Sequence, residues 1–251
     1  MSKFWRPIGL IAFLLPAWGC VDIEQSYTLR RDLSGTAEVR VTADFESFAR
    51  AQAFRARSEE GKPGDPSQEE IEEAIASLSG SLDVLARPAN LELMQAEARK
   101  RLPAGIQLLD YTISREARRA KMVLGFAFDD VFKVSSIKHV PTPAQKESGA
   151  RPSESPFSNF QVKDEGETLL VYPLAENAAV PYTPFAGKSP GSDGPPSIDR
   201  FAIRIEAPFE VVATNATRRE GTILFWDYDA EAIAKTPPEV QAKGFWVRYK
   251  K

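Results

Sequence analysis

The chain has 251 residues, of which 43% are hydrophobic and 27% are charged, and its formal net charge is −3 at pH 7. A chain of this size can bury a stable core without disulfide bonds or structural metal ions. Its charge balance excludes the broad basic surface typical of nucleic-acid-binding proteins. With one histidine and one cysteine, we expect neither an internal disulfide nor a tetrahedral zinc site.

The first 20 residues have the organisation of a bacterial lipoprotein signal. Lys3 and Arg6 precede an apolar run over residues 8–15, and the segment Pro-Ala-Trp-Gly, with a bulky residue at Trp18, leads to Cys20. The run is about half of the roughly 20 residues that a membrane-spanning helix needs. We therefore predict cleavage between Gly19 and Cys20, diacylglycerol on the Cys20 thiol, and a further acyl chain such as palmitate on the new amino group. A simple secretory peptide is the alternative.

Lipidation would decide where the mature chain resides. Two or three acyl chains hold a protein durably at a bilayer, whereas one chain does not. The sequence then divides into a signal peptide, residues 1–19, and one extracytoplasmic domain, residues 20–251. Removal of the signal leaves a net charge near −5, so we expect the acyl chains, and not surface charge, to hold the domain. Val21 follows the cysteine where an acid retains some lipoproteins at the inner membrane, which favours the outer membrane in a bacterium that has both.

Apolar periodicity predicts both strands and helices in the first half of the mature chain. Alternation on both sides of a polar turn at residues 32–35 is typical of a β-hairpin. Asp65, Pro66 and Gln68 fit an N-cap, a first-turn proline and a capping-box residue. The predicted elements are strands 23–31 and 36–45, a helix from about 45 to 58, a helix after Asp65 to 85, a helix capped by Asn90 to 102, and strands 106–114 and 120–128. The last strand is apolar on both faces, which predicts a central, covered position.

The second half alternates between strands and long loops. Asp129 can cap a short helix that extends to Ile137. Stretches near residues 141–156 and 175–197 are rich in Pro, Gly and Ser, which predicts two long loops. Further strands are predicted over residues 157–163, 168–174, 198–206, 209–214, 222–228 and 245–249. With no internal repeat, we predict a single α+β domain, mainly an antiparallel sheet with several helices packed on one face.

Three stretches resemble the LppM-like bacterial lipoproteins, a family of largely uncharacterised function. They are Cys20 to Asp22 with the hairpin DLSGTAEVRVTADF, GFAFDDVFKV from Gly125, and APFEVVATNATRREGTILFWDYD from Ala207. The resemblance implies a surface-anchored antiparallel sheet carrying helices and, for some members, binding of an apolar ligand or glycolipid. Family members often end in a transmembrane helix, whereas this sequence ends in FWVRYKK, so Cys20 is the one expected anchor.

Aromatic side chains are candidates to line an apolar cavity between the sheet and the helices. Core packing is the usual role of such residues. The family resemblance and Gly125, which would let the sheet bend, favour the cavity. The residues predicted to bind an apolar ligand are Phe48, Phe126, Phe128, Phe132 and Trp226.

No pattern of catalytic residues stands out. His139 has no adjacent nucleophile motif. Acids cluster at residues 129–130 and at Asp227, Asp229 and Glu231, where the alternate spacing could fit a calcium site. Helix capping at Asp129 and a strand end at Asp227 and Asp229 are the preferred explanation. Asn215 begins a glycosylation sequon, which we interpret as a turn residue. We predict a non-enzymatic envelope protein without metal or cofactor, which binds a lipid, a glycolipid or another envelope component. The alternatives are a scaffold or assembly subunit that binds a protein partner, and an envelope hydrolase.

Overall fold

The computed structural model of the chain describes residues 21–62, 64–116, 118–137, 160–173, 200–229 and 244–251. These ranges form eleven strands, three α-helices and one 3₁₀ helix. The predicted α+β class with mostly antiparallel strands is confirmed. The predictions for Cys20, for His139 and for the loops near 141–156 and 175–197 fall outside the described residues.

The strands build two sheets, here called the large sheet and the small sheet. The strands are β1 Val21–Leu29, β2 Gly35–Asp44, β3 Ile106–Glu116, β4 Arg119–Phe128, β5 Gln161–Asp164, β6 Thr168–Tyr172, β7 Arg200–Glu206, β8 Glu210–Thr214, β9 Arg218–Glu220, β10 Ile223–Asp229 and β11 Val247–Lys250. The large sheet has the order β3-β4-β2-β1-β7-β10-β9, and the small sheet has the order β5-β6-β11-β8. Neighbours run antiparallel except β1 and β7, which are parallel. The sequence did not predict β9.

The α-helices all follow β2. They are α1 Phe45–Glu59, α2 Gln68–Leu85 and α3 Pro88–Arg101, and a 3₁₀ helix, Val131–Ser136, follows β4. Asp44 caps α1 by accepting a hydrogen bond from the Glu46 backbone N–H at 2.9 Å. Within the described ranges, no helix combines the length and apolarity that crossing a bilayer requires.

Two predicted helix starts were wrong. The N-cap of α2 is Ser67, not Asp65, because Ser67 and Glu70 form a reciprocal capping box. The third helix starts at Pro88, with Arg87 and not Asn90 at its N-cap position. Proline is tolerated there because the N–H of a first-turn residue has no partner within the helix. The side chain of Asn90 instead donates to the carbonyl oxygen of Val84, at 2.6 Å, which ties the start of α3 to the end of α2.

One face of the large sheet, here called the inner face, carries mainly apolar side chains. Strand register aligns these residues in rows that cross the sheet from β3 to β10. From the Val21 end inward, the rows are Ile113, Met122, Val41, Ile23, Phe201, Tyr228; then Tyr111, Leu124, Val39, Gln25, Ile203, Trp226; then Leu108, Phe126, Ala37, Tyr27, Ile205, Leu224.

Two layers cover different parts of this inner face. The small sheet and the 3₁₀ helix pack on one part and enclose the first cluster, which includes Tyr27, Phe126, Trp226 and Tyr249. The α-helices pack over the end of β3 and β4 and enclose a second cluster, which includes Phe45, Ile71, Leu78, Leu85 and Ile113. Helices therefore pack on one face, as predicted, but they share that face with a second sheet.

A β-bulge keeps the apolar residues of β3 on the inner face. The register of β3 against β4 shifts between Leu108 and Asp110, where Asp110 pairs with Gly125. A Cβ atom at Gly125 would lie 3.4 Å from the Asp110 Cβ, which is an ordinary van der Waals contact, so the bulge does not require glycine at this position. Strand β4 is interior, since it pairs with β3 on one side and β2 on the other, and it is second from the edge of the large sheet.

The opposite, outer face of the large sheet is held together by ion pairs between strands. Arg200 on β7 donates two hydrogen bonds to Asp227 on β10, at 2.9 and 2.7 Å, and one to Glu24 on β1, at 2.9 Å. The two carboxylates raise the pKa of the Arg200 guanidinium, with the Asp227 hydrogen bonds as the main cause. Charged side chains of β1, β7 and β10 thus pair with one another on the outer face.

Candidate functional site

An apolar seam crosses the inner face where the two clusters meet. Ile23, Val41 and Met122 lie in register on β1, β2 and β4. Ile23 and Val41 pack against the first cluster, and Met122 packs against the second. All three side chains are half-buried, whereas Ile113 and Phe201, which flank them in the same row, are buried. The seam is therefore a run of three adjacent apolar side chains that neither layer covers completely.

A polar group lies in the row next to the seam. Gln25 on β1 is 3% exposed, and it is the one polar residue in the buried core of the described ranges. Its Oε1 accepts a hydrogen bond from the Tyr27 hydroxyl at 3.1 Å, and the Tyr27 ring stacks on Phe160 with the ring centroids 3.9 Å apart. The row next to the seam therefore contains an uncharged amide, which is hydrogen-bonded to one ring of a stacked aromatic pair.

Tyr111 borders the seam on β3, in register with Leu124. Burial raises the pKa of the Tyr111 hydroxyl to about 12, so this group is neutral at physiological pH and cannot serve as a general base there. The backbone carbonyl of Tyr111 accepts a hydrogen bond from the Gln95 side chain of α3, at 3.1 Å. Because β3 is an edge strand, this contact satisfies a carbonyl that has no neighbouring strand on that side.

The structure separates the five residues that were predicted to bind an apolar ligand. Phe126, Phe128 and Trp226 lie together in the first cluster, each at most 3% exposed. Phe132, in the 3₁₀ helix, is 40% exposed. Phe48 lies in α1, but its side chain is outside what the structure describes. Their role in ligand binding stays a prediction.

The acidic residues singled out in the sequence have structural partners. Asp130, not Asp129 as predicted, caps the 3₁₀ helix by accepting from the Phe132 backbone N–H at 3.0 Å. Asp129 pairs with Lys133 at 2.8 Å, and Asp227 binds Arg200. Among the described residues, no group of three His, Cys, Asp or Glu side chains is placed to hold a metal ion.

Asn215 has a larger role than the turn residue predicted from the sequence. Its side chain bonds to Trp226, to the backbone of Trp246 and to the carbonyl of Gly244. These partners are 11 to 31 residues away along the chain, and no local pattern in the sequence indicates them. Since the amide is engaged on both its oxygen and its nitrogen, the sequon at Asn215 serves packing in this fold.

The chain was compared with known proteins. No family model matches it, and no curated protein is significantly similar to it in sequence. Among solved structures it is similar to the folded domain of the LppM protein of Mycobacterium tuberculosis, with a TM-score of 0.37 and 10% identity, over 92% of this chain and 89% of that one. It is also similar to an M1 zinc metallopeptidase from Deinococcus radiodurans, with a TM-score of 0.25 and 11% identity, over 93% of this chain and 42% of that one. At these scores neither protein establishes the family or the function of this chain.

Proposed function

We propose that this chain is a lipid-anchored protein of the bacterial envelope whose non-enzymatic domain binds a hydrophobic ligand. The sequence pattern that ends in Cys20 carries the anchoring, and the position of Val21 gives its geometry. Strand β1 starts at Val21, directly after Cys20, and it is the fourth of the seven strands of the large sheet. An acylated Cys20 would therefore hold the central strand of the domain at the bilayer without a linker.

The seam supports binding of an apolar ligand. Ile23, Val41 and Met122 span three adjacent strands, a width of roughly 10 Å at the usual strand spacing. Their partly exposed surface favours an apolar partner, because each Å² of apolar surface removed from water contributes about 25 cal/mol. An acyl chain of a lipid or glycolipid has the width and chemistry to lie along such a row.

The anchor can be tested by mass spectrometry of the mature protein from a bacterial host. We expect a mature chain that begins at Cys20 and carries diacylglycerol there, and a Cys20→Ser variant that keeps its signal and gains no lipid. A mature wild-type chain with a bare thiol at Cys20, or one cleaved elsewhere, would contradict the proposal.

The ligand can be tested by native mass spectrometry after incubation with a lipid extract of the host envelope. We expect a bound lipid on the wild-type protein and its loss in Val41→Asp, which places a charge in the seam. Thr42→Asp is the matched control, because Thr42 is also half-buried and follows Val41 on the outer face of β2. If both variants and the wild type stay free of lipid, the ligand proposal fails, and capture of a protein partner would favour the scaffold instead.

A further inference from the structure

The hairpin that joins β3 to β4 lies at the same end of the large sheet as Val21. The register places Val21 beside Ala43, Ala43 beside Ala120, and Ala120 beside Arg115. Two strand spacings separate Val21 from Ala120, which is roughly 10 Å. Cys20 is bonded to Val21, so the Cα atoms of these two residues are about 3.8 Å apart. An acyl group on Cys20 would therefore bring the hairpin tip to the bilayer surface.

The hairpin tip is rich in cations. Arg115, Arg118 and Arg119 are exposed, and Lys121 is half-buried. Glu116 is the one acid in the segment 114–121. Within the described part of the chain, neither Arg119 nor Lys121 has a carboxylate within ion-pair distance. The segment 114–121 by itself thus has a net charge of +3, on a protein whose net charge is negative.

Two of the tip arginines contact carboxylates of the neighbouring helices. Arg115 pairs with Asp83 of α2 at 3.2 Å. Arg118 pairs with Glu46 of α1 at 2.7 Å and with Glu72 of α2 at 3.5 Å. These side chains are 39–57% exposed, and ion pairs at that exposure contribute little to stability. The arginines can therefore exchange these partners for phosphate, to which guanidinium groups bind in a bidentate manner.

The net charge of the protein does not oppose such a contact. At physiological ionic strength charges are screened beyond about 8 Å, so the charges nearest to the headgroups decide the interaction. We infer that Arg115, Arg118 and Arg119 bind lipid phosphates at the surface of the bilayer that holds Cys20, and that they set the orientation of the domain on it. This inference rests on the proposed anchoring. The β1–β2 turn with Arg30 and Arg31, at the other end of the sheet, then points away from the membrane.

The contact can be measured on the full lipidated protein in lipid nanodiscs. The sequence has one cysteine, and the lipid on it blocks its thiol. A Ser114→Cys substitution at an exposed position of β3 therefore gives a single free thiol for a nitroxide label. The discs contain phosphatidylcholine with roughly one third of phosphatidylglycerol, and a nickel chelate on the headgroups relaxes labels that lie close to the surface. We expect strong relaxation of the label on the wild-type background.

Charge reversal at the tip should weaken this relaxation. We expect Arg118→Glu with Arg119→Glu to reduce it at least about twofold, and Arg119→Glu alone to reduce it in part without breaking an ion pair of the fold. The matched control is Arg30→Glu with Arg31→Glu, an equal change of charge on two exposed arginines at the opposite end, which should leave the relaxation unchanged.

The possible outcomes separate the inference from the proposed function. Unchanged relaxation in both tip variants, with diacylglycerol present on Cys20, would overturn the phosphate contact and leave the anchor intact. An equal loss in the Arg30 and Arg31 control would also overturn it, because the effect would then follow net charge. A mass without acyl groups on Cys20 would overturn the anchoring and the contact together.

Discussion

The indole of Trp226 donates a hydrogen bond from Nε1 to Oδ1 of Asn215, at 2.8 Å. The same oxygen accepts the backbone N–H of Trp246 at 2.8 Å, and the Asn215 Nδ2 donates to the carbonyl of Gly244 at 2.6 Å. Trp226 belongs to β10 of the large sheet, and Trp246 directly precedes β11 of the small sheet. One side-chain amide therefore connects the two sheets.

We expect Asn215→Ala to destabilise the fold. The substitution leaves the N–H groups of the buried Trp226 and the half-buried Trp246 without their acceptor, and an unsatisfied donor costs about 1–3 kcal/mol when it is buried. Urea unfolding followed by tryptophan fluorescence would measure the loss. Asn90→Ala is the control, because Asn90 gives a single hydrogen bond to Val84, and we expect it to cost about 1 kcal/mol. Equal effects of the two substitutions would contradict the bridging role of Asn215.

Gly35 and Gly125 lie in neighbouring strands, but only one of them has room for a side chain. A Cβ at Gly35 would lie 2.0 Å from the carbonyl oxygen of Thr28, whereas at Gly125 its nearest neighbour is the Asp110 Cβ at 3.4 Å. We expect Gly35→Ala to lower the free energy of unfolding by more than about 2 kcal/mol, and Gly125→Ala to lower it by less than about 1 kcal/mol. Denaturant unfolding checks the order, and a reversed order would show that β1 and β2 move apart easily.

Phe126 and Phe132 were predicted to share a role, but their burial predicts different effects of substitution. Phe126 is 3% exposed and Phe132 is 40% exposed. Phe126→Ala should therefore cost about 3–5 kcal/mol through the cavity that it leaves, and Phe132→Ala less than about 1 kcal/mol. Calorimetry would measure both. Loss of bound lipid in Phe132→Ala at unchanged stability would support a ligand role for Phe132, and unchanged lipid binding would remove it from the site.

Stability should fall in strongly alkaline solution because burial raises the pKa of the Tyr111 hydroxyl to about 12. Between pH 10 and that value the unfolded chain has lost a proton that the folded protein keeps. The contribution of Tyr111 to the free energy of unfolding is thus fully present below pH 10 and is lost as the pH rises through the folded pKa. Over that range the free energy of unfolding falls by about 1.4 kcal/mol per pH unit. Tyr111→Phe should remove this part of the slope.

The measurement for Tyr111 is urea unfolding at several pH values from 9 to 11.5, with absorbance at 295 nm reporting tyrosinate. Burial also raises the pKa of Tyr228 to about 12, so Tyr228→Phe should act in the same direction. Wild type and variants share all other titrating groups, whose effects therefore cancel when the free energies of unfolding of wild type and variant are subtracted at each pH. A Tyr111→Phe variant with the wild-type slope would show that Tyr111 is already accessible to solvent in the folded state.

Elements defined by local patterns were predictable from the sequence. Alternation around residues 32–35 identified the β1–β2 hairpin to within two residues at each end, because side chains on a strand alternate between a buried and a wet face. The cap of α2 was placed two residues early because Asp65 and Ser67 both fit an N-cap. The reciprocal contact between Ser67 and Glu70 decided between them.

The candidate site depended on pairings that no local pattern encodes. The parallel pairing of β1 with β7 joins Ile23 to Phe201 across 178 residues, and the bulge at Asp110 aligns Tyr111 with Leu124. The seam and the cation-rich hairpin tip near Val21 follow from the pairing of β2 with β1 and with β4. Aromatic residues that look alike in the sequence, such as Phe126 and Phe132, differ in burial because Phe126 lies on the inner face of the large sheet and Phe132 lies in the 3₁₀ helix that packs on that face.

The sequence by itself determined the α+β class, most of the strands and helices, and the prediction of an anchor at Cys20. These depend on periodicity, caps and a short signal, each of which extends over a few to about 20 neighbouring residues. The tertiary structure alone decided the order of the strands, the division of the inner face between helices and small sheet, and the link from Asn215 to Trp226. Those features depend on contacts between distant segments, whose energies are comparable for many alternative pairings until the whole core is packed.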